Sequence, residues 1–159
     1  RSTLLASSAA SDVYKRPEVK DGKKQNAGSI QLTFFDIFSD KTKQFGFKAV
    51  FPSGKVLACL GDEPFNEKCR NFVQNCDYLM CEAFCLYSQK DIFKPYEKFH
   101  STALDAGKLA ESLFAKNLIL YHTEDETLQT RKRTYTSEAR TVFNGNIFVP
   151  DDFEVIDLK

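Results

Sequence analysis

The sequence predicts an α/β (α+β) fold in which helices pack on a mixed sheet. Three observations carry this. Residues 29–60 form a β-rich, partly alternating block broken by turn residues. The run Asn117–Tyr121 (NLILY) is short and almost wholly apolar, the texture of a strand covered on both faces. Amphipathic helical stretches lie on either side of that run. Antiparallel strands therefore come first, and a β-α-β-α-β unit follows.

Each element has a local reason. Residues 29–38 (SIQLTFFDIF) and 43–51 (KQFGFKAVF) read as strands, Pro52-Ser53-Gly54 as a turn, and 55–60 (KVLACL) as the returning strand of a hairpin over 44–60. Residues 66–75 suit a short helix and 77–84 a strand. Over 102–116, Thr102 and Asp105 make a capping-box pattern, and Ala103, Ala106, Ala110, Leu113 and Phe114 share one helical face. A second amphipathic helix is expected over 131–143, with Tyr135, Ala139, Val142 and Phe143 on one side. Residues 146–149 and 153–156 close the chain as short strands.

Composition narrows the function classes. In 159 residues, 15 Phe and 6 Tyr supply too much apolar surface for a disordered chain. Lys and Arg number 22 and Asp and Glu number 22, so no global field draws nucleic acid or anionic lipid. No apolar run approaches the ~20 residues of a membrane span. Residues 4–10 (LLASSAA) are too short and too weakly apolar for a signal peptide, which makes the cytoplasm the default location. Cys59, Cys69, Cys76, Cys81 and Cys85 are odd in number and lack C-x-x-C spacing. They read as small, half-buried hydrophobes in a reducing compartment.

Two segments are expected: a flexible polar arm or linker over 1–29 and a folded domain over 30–159. The arm is rich in Ser, Ala, Lys and Asn, with six basic residues against three acidic. The absence of an initiator Met suggests a longer parent chain.

Polar residues at the ends of apolar strands are the candidates for chemistry. Asp62 follows 55–60, Glu82 ends Leu79-Met80-Cys81, and His122 follows Leu118-Ile119-Leu120-Tyr121. A strand fixes the Cα while the loop beyond it leaves the side chain accessible. Asp and His presented this way are suitable ligands for Zn²⁺ or Mn²⁺. His100 lies just ahead of a helix N-terminus, whose free N–H groups favour anions. Each residue also has a purely structural reading. Asp62 suits an Asx-turn, Glu82 a solvent-facing strand position, His100 a cap neighbour and His122 a hydrogen-bonded strand end.

The order of these residues resembles the C-terminal half of a metallo-β-lactamase-fold hydrolase of the ribonuclease Z (tRNase Z) type. Cys59-Leu60-Gly61-Asp62 is similar to that family's SGDT segment, and Leu79-Met80-Cys81-Glu82-Ala83-Phe84 to its HEATF strand. His100-Ser101-Thr102-Ala103 is similar to its HST-A helix start, and Leu118-Ile119-Leu120-Tyr121-His122 to its LVLTH strand. The residues from Glu138 to Ile156 are similar to its closing helix and strand. The resemblance covers about residues 30–158 and implies half of an αββα sandwich.

The resemblance implies two bound divalent metal ions, with zinc favoured and manganese the alternative. Asp62 would bridge the ions, His122 would be the last ligand, and Glu82 with His100 would assist the leaving oxygen. It also implies phosphodiester hydrolysis, on RNA (a tRNA precursor) or a small phosphodiester, by a complete enzyme that is a homodimer. Departures from the pattern are as informative. The family's H-x-H-x-D-H segment is absent, Glu63 replaces Thr, and Cys81 replaces His. With two His in all, the chain needs an N-terminal half of the same fold to complete a two-metal site. Thr123-Glu124-Asp125-Glu126 stands where tRNA processors carry S-x-R-Y, and its acidity argues against a phosphate backbone. The alternative function is a non-catalytic half-fold that binds or regulates a partner.

Overall fold

The computed structural model describes residues 18–158. Seven strands form one sheet in chain order: β1 (Lys24–Ala27), β2 (Ile30–Asp36), β3 (Phe45–Val50), β4 (Val56–Cys59), β5 (Tyr78–Glu82), β6 (Asn117–Tyr121) and β7 (Asn146–Phe148). The first four pair antiparallel, and β4 through β7 run parallel. Four helices lie in the crossovers: α1 (Arg70–Val73), α2 (Lys90–Phe93), α3 (Ala103–Ser112) and α4 (Leu128–Arg140). This is the expected mixed sheet carrying helices.

Alternation along the parallel strands divides the sheet into two faces. Ala58, Leu79, Cys81, Leu118 and Leu120 point to a large core shared with Val73, Ala106, Ala110, Leu113, Tyr135, Ala139 and Phe143. The opposite face carries a small cluster of Leu57, Tyr78 and Ile119, flanked by Phe47, Met80, Phe148 and Ile156. Both helices of the best sequence evidence therefore pack on one side. The N-terminus of α3 has the complete capping box, with Thr102 Oγ1 accepting from the Asp105 N–H and the Asp105 carboxylate accepting from the Thr102 N–H.

Several expectations need correction. Lys24–Ala27, assigned to the polar arm, is a strand, because its backbone pairs residue for residue with Ile30–Thr33 of β2. Residues 1–17 of the arm lie outside the described residues. Residues 153–156 form no strand. Phe153 takes a left-handed φ of 65°, and Lys132 ties Asp151 and Glu154 into a turn. Ile156 and Leu158 then lie against the second face of the sheet instead of pairing along β7. Phe114, placed on the buried face of α3, falls beyond its end at φ 56° and is 71% exposed. Among the described residues no helix is long and apolar enough to cross a membrane.

All five cysteines are free, and four are buried. Burial pushes the thiols of Cys69 and Cys76 up to about 11 and that of Cys85 to about 12, so these are inert apolar fillers.

Candidate active site

Parallel strands end at one edge, and that edge collects the candidate residues. β4 leads through Gly61 to Asp62, β5 ends in Glu82, and β6 leads to His122. The chain places these candidate residues at or just beyond the carboxyl ends of its strands, where loops diverge and open a crevice. His100 arrives from the loop ahead of α3. The His100 and His122 rings are 4.9 Å apart. An N–H of His100 faces the backbone carbonyl of Asp62, and the Asp62 carboxylate acts on both His100 and Glu82. All four predicted residues thus share one site.

Glu82 is buried, 3% exposed, which excludes the solvent-facing alternative. Its Oε1 accepts the Ser101 N–H at 2.6 Å, and its Oε2 lies 3.2 Å from His100 Nδ1. Burial pushes the Glu82 carboxyl up to about 8, against the pull of the Ser101 hydrogen bonds. Burial, followed by the neighbouring His122, lowers the pKa of His100. Charge is disfavoured on both partners, so near neutral pH an uncharged carboxyl faces an uncharged imidazole.

Sequence reasoning missed the residues that hold this arrangement. The Phe84 ring stacks on His100 at 5.0 Å and lies 6.4 Å from His122, forming a wall behind both imidazoles. The Phe84 carbonyl accepts from the Glu124 N–H at 2.7 Å and the Tyr135 O–H at 3.2 Å, and its N–H donates to Ser101. Glu124 is not an exposed acid. It is 5% exposed, and its carboxylate accepts from Glu126, Thr127 and Tyr135. Among residues 123–126 the exposed acids are therefore Asp125 and Glu126. The signal available in advance was the aromatic residue two places after Glu82.

A carboxylate and an imidazole are fitting donors for zinc or manganese. Among the described residues, however, no three His, Cys, Asp or Glu side chains are gathered to hold an ion. Two donors do not make a metal site.

The likeness to known proteins fits this half-site. Over 98 residues the chain is 32% identical to ribonuclease Z of Bacillus cereus (strain AH187), a match covering 62% of this chain and 31% of that one. The metallo-β-lactamase-fold protein YhfI from Bacillus subtilis superposes with a TM-score of 0.67 at 20% identity, over 80% of this chain and 49% of that one. Human tRNase Z, short form, gives 0.63 at 23% identity, over 85% and 46%. Over its matched part the chain is similar to ribonuclease Z, and it has the metallo-β-lactamase fold. No family model matches it. The chain spans less than a third of the length of the curated relatives it matches and about half of the solved domains.

Proposed function

We propose that the chain is the C-terminal half of a metal-dependent phosphodiesterase, completed by an N-terminal half that carries the His-x-His-x-Asp-His ligands. The observation that supports this best is the convergence of Asp62, Glu82, His100 and His122 on one strand edge, with Glu82 buried behind His100. Asp62 and His122 are this half's donors to two divalent ions, zinc by preference and manganese as the alternative. They are too few to hold either ion alone. The lightly covered sheet face around Leu57, Tyr78 and Ile119 is the side on which a second sheet would pack.

His100 and Glu82 act without an ion. Glu82 Oε2 lies 3.2 Å from Nδ1 without a hydrogen bond between them, and the opposite nitrogen is the one proposed to give a hydrogen bond to a departing oxygen. Because burial keeps His100 neutral, its donating N–H is present across the neutral range. The substrate proposed is an RNA phosphodiester, a tRNA precursor, with a small phosphodiester as the simpler case, and the complete enzyme is proposed to be a homodimer in the cytoplasm. Glu124 turns inward, which leaves Asp125 and Glu126 as the exposed acids of this loop.

The lack of a third donor favours a second reading, in which the half-fold binds or regulates a partner without catalysis. Mixing the chain with the N-terminal half of a ribonuclease Z and zinc, then following bis-p-nitrophenyl phosphate and tRNA-precursor cleavage, separates the two. Turnover in the mixture and in neither half alone is expected. Complex formation without turnover supports the regulatory reading.

A further inference from the structure

Strands β4 and β6 are not neighbours. β5 lies between them, so the turns that carry Asp62 and His122 begin two strand spacings apart, roughly 10 Å. One side chain closes that gap. Tyr121 ends β6, and its hydroxyl donates to the backbone carbonyl of Gly61, immediately before Asp62. The same oxygen is 3.5 Å from Cys59 Sγ, at the end of β4. Tyr121 also precedes His122 in the chain, so one residue is bonded to one turn and hydrogen-bonded to the other.

Both turns are left-handed, Gly61 at φ 79° and His122 at φ 55°. Glycine adopts that conformation freely, but a histidine persists there only when its surroundings hold it. A shorter hydroxyl side chain on β6 would not cross β5, and a phenyl ring would cross it with no donor at its tip.

We infer that Tyr121 is a positioning residue that locks the turn bearing Asp62 to the turn bearing His122, fixing their separation across β5. The inference deepens the proposed function, since it rests on Asp62 and His122 serving one site. In the full chain, isotope-labelled NMR spectra of wild type and Tyr121→Phe test it at fixed pH. The variant should unfold cooperatively and keep the Leu79–Cys81 amide signals. The Gly61 carbonyl signal and the Asp62 and His122 amide signals should move together. Unmoved Gly61 and Asp62 signals would overturn the inference, as would a shift spread evenly through β5. Titration with Mn²⁺ of the complex with an N-terminal half adds a second arm, since this chain alone has too few donors to hold the ion. Line broadening at Asp62 and His122 should need about fivefold more ion in the variant, the effect of one lost hydrogen bond. Equal titrations in the two proteins would also overturn the lock. If the wild type shows no Mn²⁺ effect at either residue while the signals still move in Tyr121→Phe, the metal reading fails and the lock stands.

Discussion

His100 Nδ1 lies 3.2 Å from Glu82 Oε2, with both side chains withdrawn from solvent. The contact joins a carboxyl whose burial favours its neutral form to an imidazole whose burial does the same. The two atoms sit side by side without a hydrogen bond between them, and neither group is committed to a charge.

That pair predicts a pH dependence of stability. Glu82 titrates at 4.5 when unfolded and at about 8 when folded. The folded chain keeps a proton that the unfolded chain has released, so this contribution is full below 4.5 and is lost as pH climbs to about 8. His100 acts in the opposite sense. Its folded pKa is lowered from 6.5, so its contribution is lost as pH falls below 6.5 and is constant above. Between 6.5 and 8 only the Glu82 trend remains from the pair, and stability falls. Glu82→Gln should flatten the trend in urea denaturation across that window; an unchanged slope contradicts the assignment.

Thr102→Ala should cost about 1–2 kcal/mol, because Thr102 is fully buried and supplies the acceptor at the start of α3. Asp105→Ala should cost a similar amount, since its carboxylate receives the Thr102 N–H and the Tyr96 hydroxyl. The two losses should not add in the double variant, because the box is reciprocal. Denaturant midpoints of the three proteins check this.

Gly46→Ala should destabilise by about 1–3 kcal/mol or prevent folding. A Cβ at Gly46 would come within 2.5 Å of the Phe35 ring and 2.6 Å of the Cys59 carbonyl, neither of which is a flexible side-chain end. Thermal melting of the variant, with Gly54→Ala as an open-surface comparison strained only by its φ of 81°, isolates the steric part.

Much of the fold was legible because each parallel strand announces itself. The runs at β4 and β6 are apolar on both faces, and the box at Thr102 marks α3 without ambiguity. What stayed hidden was set by contacts distant in sequence. Lys24–Ala27 is polar and becomes a strand only because β2 offers it an edge. Phe153–Ile156 alternates like a strand, yet Lys132 bends it into a turn from a helix more than twenty residues away. The site divides the same way. Asp62, Glu82 and His122 were readable as polar residues at strand ends, and His100 as a residue just ahead of a helix. Phe84, Tyr121 and Glu124 were not, because an aromatic after a strand and an acid in a loop look like core and surface until the fold turns them inward.

Alone, the chain should hold less than one zinc per molecule after dialysis and should not turn over bis-p-nitrophenyl phosphate, since Asp62 and His122 leave most coordination positions to water. Elemental analysis beside an activity assay decides it. Tightly held stoichiometric zinc with robust turnover would mean that the chain needs no second half.

The most direct test of the proposed site is the metal content of three variants in the complex with an N-terminal half. Asp62→Ala and His122→Ala should each lower bound metal along with activity, because each removes a proposed ligand. His100→Ala should keep its metal and lose roughly 10²–10⁴ in kcat, the range for a lost proton or hydrogen-bond donor. Metal lost equally from His100→Ala and His122→Ala, or nearly full activity in His100→Ala, would contradict the division of roles between ligand and donor.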